Sequence, residues 1–394
     1  MNTTRRTAAA AALLALLLPA SLPAASSASA APTAPAAAVD ALRTTGPELP
    51  APTGRLAVGS EDLHLVDRSR TDPWAHTGPR ELMVTLRYPA QRGTGRAPAP
   101  YLSTEEARLI LADKGLDKII DPAAFAATRA HARVGARPAE GRYPLIVLSP
   151  GFTVPRATLT SLAEDLASRG YVVAAVDHAY ESAATAFPGG RILTCLACDQ
   201  AQGPGGREAV TDTRAKDVSF LLDRLTGRHP VWRHAELIDR GRIAMAGHSI
   251  GGGAALAAMA VDPRIRAGVD MDGGLPVPYP AAGIGGRPFL LFGSAASAPG
   301  QDTAGNWSQA WPHLDGWKRW ITVDGTDHFG ATDYPALRDQ LGVPHPDAPL
   351  PGPRALEVTR TYVGAFFDRH LKGQPRPVLD GPRADAPEVR FHTP

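Results

Sequence analysis

Short, wholly apolar runs alternate along the chain with longer amphipathic stretches. Residues 143–148 (YPLIVL) and 171–176 (YVVAAV) are apolar over the length of a strand, and a strand with no polar face is one covered on both sides. Residues 243–246, 267–271, 288–292 and 320–323 repeat that signature as successive short strands. Helical patterns separate them: 158–168, closed by Gly170, then 212–225, a helix rich in small residues after 250, and 355–371. Strands that alternate with helices predict an α/β chain with a mainly parallel central sheet and helices on both faces. Two further strands are expected upstream, near 63–66 and over 81–88. The second, ELMVTLRY, alternates apolar and polar residues, as a half-exposed antiparallel edge strand does.

Residues 91–141 mix Gly/Pro loops with a helical pattern over 103–114, where Ser103 and Glu106 have capping-box spacing. Lying before the first buried strand, this segment is expected to pack over the end of the sheet that carries the chemistry. Residues 181–207 are irregular and Gly-rich and hold both cysteines, which predicts a loop or lid-like insertion. No repeat or linker interrupts residues 54–394, so one domain is expected there.

The N-terminus follows a different pattern. Arg5 and Arg6 precede an apolar run over 8–18, and Ala28-Ser29-Ala30 has the form of a cleavage site. Residues 1–30 therefore read as an export signal, with an apolar run too short to span a bilayer. The arginine pair is compatible with the general or the twin-arginine route. Residues 31–53, rich in Ala, Pro and Thr, read as a flexible leader. The signal holds two of the 41 Lys and Arg and no Asp or Glu, so the exported chain has 39 basic and 39 acidic residues. That balance offers no footprint for nucleic acid or an anionic membrane surface. No later apolar run is long enough to cross a membrane, so a secreted protein without a transmembrane segment is expected. The two cysteines lie in Cys195-Leu196-Ala197-Cys198. Two thiols do not complete a zinc site, and in an oxidising compartment the plainest reading is a local disulfide that shapes its loop.

The strand over 243–246 runs straight into Gly247-His248-Ser249-Ile250-Gly251 and then into the small-residue helix. This is G-x-S-x-G in the strand–turn–helix setting of a nucleophile elbow, which predicts an α/β-hydrolase fold with Ser249 as nucleophile. A serine hydroxyl needs a base, and the base needs a carboxylate to hold its tautomer. In this fold they follow the serine in the order acid, then His. Of His313, His328, His345 and His370, only His328 directly follows the last expected strand. The common acid position, after Phe292, is occupied by Gly293-Ser294-Ala295-Ala296-Ser297 with no carboxylate before Asp302. One strand earlier, Asp272 stands at a strand end before two glycines, with Asp270 deeper in the same strand. Asp272 is preferred, and Asp270 and Asp302 remain as alternatives on this reading. Two N–H donors for an oxyanion are expected from Ile250 and from the loop Ser149-Pro150-Gly151-Phe152. Pro150 has no N–H, so Phe152 is the expected donor, with Gly151 second. The chemistry requires no metal or organic cofactor.

Residues 143–182, the Gly247–Gly252 motif, Val269-Asp270-Met271-Asp272 and the loop 325–334 around His328 strongly resemble the plasma-type platelet-activating factor acetylhydrolases (group VII phospholipase A2-like) over about 80–372. The resemblance implies a serine lipase or esterase acting on acyl esters of lipids, close to secreted bacterial lipases and esterases. It also implies an acid after the strand that follows the elbow, which selects Asp272. Where the family usually has His-Gly in the oxyanion loop, this chain has Pro150-Gly151, which changes what braces that loop. The apolar surface helices of the mammalian members are not matched to residues here, so platelet-activating factor itself is not implied as substrate; transient contact with lipid surfaces is compatible with the resemblance. Leu275, Val277 and Phe329, beside Phe152 and Ile250, are candidates for an acyl pocket. His178 is read as a hydrogen-bonded strand-end residue, the four tryptophans at 307, 311, 317 and 320 as packing, and the sequon at Asn306 as coincidence. A cutinase-like polyester hydrolase and a non-catalytic binding protein on the same scaffold are the competing readings.

Overall fold

The computed structural model describes residues 46–393 except 276, 277, 281 and 302–305. The expected signal, most of the leader, Val277 and Asp302 lie outside the described residues. Two long strands open the fold, β1 (Ala57–Thr71) and β2 (Pro79–Ala90), followed by α1 (Thr104–Asp113), α2 (Pro122–Ala126) and the two-residue β3 (Arg133–Val134). Then come β4 (Tyr143–Ser149), α3 (Thr160–Ser168) and β5 (Val172–His178). A hairpin of β6 (Thr185–Phe187) and β7 (Arg191–Leu193), the short α4 (Ala197–Gln200) and the long α5 (Gly206–Thr226) lead to β8 (Ile238–His248). The second half contains α6 (Ile250–Val261), β9 (Ile265–Met271), β10 (Phe289–Ser294), α7 (Trp307–Ala310), β11 (Lys318–Val323), α8 (Tyr334–Gln340), α9 (Gly352–Lys372) and β12 (Val389–His392).

Ten strands form one sheet in the order β12-β11-β10-β9-β8-β4-β5-β2-β1-β3. The six from β11 to β5 run parallel, while β2 joins β5 and β1 antiparallel and β12 caps β11 antiparallel. Alternating side chains feed two cores. Leu145 and Val147 of β4 face one side with α5 and α6, and Ile146 and Leu148 face the other with α3 and α9. Both faces of the parallel strands are therefore covered, which is why their sequences are continuous apolar runs. This is the α/β-hydrolase arrangement. The order of strand addition reverses at β4, whose neighbours are β5 on one side and β8 on the other. The carboxyl ends of β4 and β8 meet at that switch point, where open α/β sheets form their clefts.

Several expectations change here. ELMVTLRY is antiparallel, but it is an interior strand, not an edge. Its polar positions serve pairs beneath neighbouring elements: Thr85 donates to Asp62, and Arg87 bonds Ser60 and faces Glu164 of α3. The flexible leader does not extend to residue 53. Leu49 is 1% exposed, its N–H donates to Arg129 O, Thr53 bonds Asp165, and Arg360 holds the Pro50 and Ala51 carbonyls. The region 181–207 contains a hairpin and a short helix, and α5 starts at Gly206 rather than Asp212. The helix expected over 103–114 is present, with Ser103 and Glu106 forming both bonds of the capping box. Leu111, Ile120 and Phe125 of this region pack with Leu337 of α8, which follows the His328 loop. Among the described residues, no helix is long and apolar enough to cross a membrane.

Candidate active site

Ser249 occupies the corner between β8 and α6 at φ 55°, ψ −128°, a conformation that a non-glycine residue holds only when its surroundings enforce it. Its N–H donates to Met271 O (2.8 Å). The flanking glycines allow the crowding: a methyl group on Gly247 would lie 2.0 Å from the Gly251 carbonyl carbon, and one on Gly252 1.7 Å from Asp270 Oδ1. The small residues of the motif therefore let the elbow helix meet the sheet backbone to backbone.

Ser249 Oγ lies 2.9 Å from His328 Nε2, and His328 Nδ1 lies 2.9 Å from Asp272 Oδ2. His328 stands on the loop leaving β11, and Asp272 follows β9 at φ 60°. The other oxygen of Asp272 accepts from the Ser294 N–H (2.7 Å) and Ser297 hydroxyl (2.7 Å). Burial raises the affinity of this carboxyl for a proton, but the hydrogen bonds from His328, Ser297 and Ser294 outweigh it and hold its pKa below the ordinary value. Asp272 thus stays ionised and accepts from His328 Nδ1, leaving Nε2 free to take a proton. Asp270 has a different part. It is fully buried, accepts from the Gly273 N–H and Trp307 Nε1, and is pushed well above the ordinary carboxylate range by burial. It shapes the corner that presents Asp272. The Ser294 and Ser297 that stood where an acid was first sought are the donors that orient it.

His248 was not singled out by sequence reasoning. Its Nε2 lies 2.7 Å from the His328 carbonyl oxygen, which can only accept, so Nε2 carries the ring's proton. The His248 ring packs 4.8 Å from that of His328 and 5.5 Å from Phe329. Burial, then the neighbouring His328, lower its pKa to about 4, keeping it neutral. A methyl group on Gly151 would lie 2.7 Å from His248 Nδ1, so the glycine after Pro150 is required by this ring. A polar residue ending an otherwise apolar strand was the available signal. The expected oxyanion donors, Phe152 and Ile250, flank the elbow, and among the described residues neither N–H meets a protein acceptor.

The family described as platelet-activating factor acetylhydrolase, isoform II, matches residues 43–189. A probable 1-alkyl-2-acetylglycerophosphocholine esterase from Arthroderma benhamiae is 31% identical over 380 residues, covering 87% of this chain and 93% of the relative. The chain belongs to the platelet-activating factor acetylhydrolase family. The solved structure of a ferulic acid esterase from Streptomyces cinnamoneus is similar at a TM-score of 0.78 and 45% identity, over 88% of this chain and 100% of that one. A bis(hydroxyethyl) terephthalate hydrolase from Streptomyces coelicolor is 30% identical over 34% of this chain and 33% of its own. This member of the acetylhydrolase family is thus a carboxylic ester hydrolase.

The remaining candidates fall around this site. Phe152 and Ile250 pack with Tyr180, Cys195 and the buried Trp74, and Cys195 is bonded to Cys198. Phe329 borders a largely apolar cavity of about 240 Å³, lined also by Ile110, Leu111, Phe125 and Leu337. Leu275, expected in an acyl pocket, instead is buried in the core on the α5 and α6 side. Leu275 is tied down there by Asn306, whose side chain bonds both its N–H and its carbonyl. Trp307 and Trp320 are buried and meet edge to face, as packing residues do. His178 is a buried strand-end residue bonded to Ser149 and Asp217.

Proposed function

We propose that this member of the family is a serine ester hydrolase in which Ser249, His328 and Asp272 act together. The observation that carries the reading is the continuous relay Ser249 Oγ–His328 Nε2–Asp272, with both links at 2.9 Å. Ser249 Oγ attacks the ester carbonyl carbon while its proton passes to His328 Nε2. Asp272 stabilises the imidazolium, and the N–H groups of Phe152 and Ile250 receive the oxyanion. Collapse expels the alcohol with the proton from His328. Water, deprotonated by the same ring, then releases the acid and restores Ser249.

Two substrate classes are favoured by separate observations. Family membership favours acyl esters of lipids. The 45% identity to the whole of a ferulic acid esterase favours esters of hydroxycinnamic acids, and as the stronger similarity it ranks first. The apolar cavity beside Phe329 would suit the hydrocarbon part of either. The test is hydrolysis of methyl ferulate, a phospholipid with a short sn-2 acyl chain and bis(hydroxyethyl) terephthalate by the wild-type protein and Ser249→Ala. Loss of about 10⁴-fold or more in the variant is expected, from the scale of nucleophile removal. Retained activity, or no fluorophosphonate labelling of Ser249, would sink the reading. The ratio of rates among the three esters decides the substrate class.

We also propose export with removal of residues 1–30, supported by Arg5-Arg6, the apolar run and Ala28-Ser29-Ala30, and by the Cys195–Cys198 disulfide. N-terminal sequencing of protein from the medium is expected to begin at Ala31. A chain retained inside the cell and still beginning at Met1 is the contrary result.

A further inference from the structure

Behind the oxyanion loop lies a buried set of charged groups that the proposed reaction does not use. Arg214 of α5, fully covered, donates from Nη1 to the Pro150 carbonyl (2.5 Å) and the Ser149 hydroxyl (3.1 Å), and from Nε to Glu181 (2.7 Å). The Glu181 carboxylate also accepts from Arg80 (2.9 Å) and Trp74 Nε1 (2.9 Å), while its main-chain carbonyl accepts the Thr153 N–H (3.0 Å). Phe152 therefore lies between two held points, Pro150 and Thr153, and one residue, Glu181, is tied to both: its carboxylate through Arg214 to Pro150, and its main-chain carbonyl directly to Thr153. Thr153 itself sits at φ 70°, so the loop turns sharply just past the donor.

Ser149, His178 and Asp217 repeat the chemical order of the site. Ser149 Oγ is 3.1 Å from His178 Nε2, and His178 Nδ1 is 2.8 Å from Asp217. All three are buried, and Ser149 Oγ already accepts from Arg214, so no substrate carbonyl can reach it. Asp217 is in turn gripped by Arg80 and Arg70. The arrangement is a scaffold, and its free end is the Pro150 carbonyl. That carbonyl also lies against the elbow helix: a methyl group on Gly251 would be 2.7 Å from it. Its placement thus fixes the loop relative to Ile250, the second oxyanion donor.

We propose that Arg214, oriented by Glu181, is a positioning residue that sets the oxyanion loop of the ester-hydrolysing site, taking the bracing part in a loop that reads Pro150-Gly151. This rests on the proposed serine mechanism. A peptide group is planar with its C=O and N–H opposed, so pinning the Pro150 carbonyl fixes the Pro150–Gly151 plane, and pinning the Thr153 N–H fixes the Phe152–Thr153 plane; the single peptide that carries the Phe152 N–H is held between them. Oxyanion donors act only when aimed at the tetrahedral state, so loosening the loop should lower kcat more than it alters KM.

The test uses the full-length enzyme, with Arg214→Lys as the main variant and Arg214→Gln beside it. Lysine keeps a charge for Glu181, and a single ammonium cannot also hold Pro150 and Ser149 in the guanidinium geometry. For Arg214→Lys, kcat on methyl ferulate or p-nitrophenyl acetate is expected to fall about 10- to 100-fold with KM within about threefold, below the loss for deleting a donor outright. The inhibition constant of an aryl trifluoromethyl ketone, which Ser249 converts to a tetrahedral hemiketal, should rise by a similar factor. A folded Arg214→Lys enzyme with unchanged kcat and unchanged inhibition, or one in which only KM moves, overturns the proposal. A wild-type protein without esterase activity, or an active Ser249→Ala, overturns the underlying mechanism with it, so the two failures are distinguishable.

Discussion

His248 fills the variable position of the elbow motif, one residue before Ser249, and its ring is buried between Gly151, His328 and Phe329. By donating to the His328 carbonyl it fixes the main chain that presents His328, the proposed base, and its own neutrality keeps a charge away from that ring. That neutrality ties stability to pH. An unfolded histidine binds a proton below about pH 6.5, whereas burial keeps the folded His248 ring unprotonated down to about 4. Between those values the unfolded state binds more protons, so stability falls as pH falls, by an amount on the order of 3 kcal/mol for this one group. His248→Gln keeps an N–H donor and cannot titrate. Urea unfolding at pH 7.5 and 4.5 is expected to show wild type losing more stability than the variant. Comparing the two removes the contributions of His178 and His370, whose values are also lowered. Parallel losses in the two proteins would refute the assignment.

Elements covered on both faces by apolar partners were legible in the sequence, because burial there leaves one kind of mark. β4, β5 and β8 are of this kind, and so is the elbow, where glycines answer a local steric demand. That Ser249, His328 and Asp272 come together was also legible, since each follows the carboxyl end of such a strand. Elements whose buried faces carry charge were legible only in part: α5 from residue 212 onward, and β2 as an antiparallel strand but not as an interior one. α5 turns Arg214 and Asp217 inward along with Val218 and Leu221, and its first turns, from Gly206 to Thr211, bury only Val210 as a large apolar residue, which leaves no stripe to mark where the helix starts. β2 alternates polar residues that are not solvated but paired, as Thr85 is with Asp62 and Arg80 is with Asp217. The part of Arg214 depends on partners from β4, the loop after β5 and β2, brought together only by folding. The same holds for Ser294 and Ser297, which hold Asp272 from a stretch that shows only the lack of an acid.

At the scale of the whole molecule, residues 46–53 join parts that are far apart in the chain. Glu48 and Gln340 of α8 exchange bonds, Leu49 pairs with Arg129, and Thr53 donates twice to the buried Asp165 of α3. Arg360 of α9 reaches back to Pro50 and Ala51. Leu49 itself packs among Tyr101, Leu111, Phe125 and Leu337, so it links the 91–141 region to the helix that follows the His328 loop. Truncating a buried leucine to alanine costs about 2–4 kcal/mol, because the cavity left among these rings cannot close fully. For a chain of this size such a loss lowers the melting midpoint by on the order of 5 °C. Leu49→Ala is therefore expected to melt earlier than wild type in calorimetry, and a chain starting at Gly54 earlier still, since it also leaves Asp165 and the Arg360 guanidinium without these partners. The strap touches neither Ser249 nor the oxyanion loop, so kcat well below the melting range should stay within about twofold, as for a substitution that removes no transition-state contact. A chain starting at Gly54 with an unchanged midpoint would show that the strap merely lies on the surface, and a large fall in kcat for Leu49→Ala would show that the 91–141 region reaches the reacting groups.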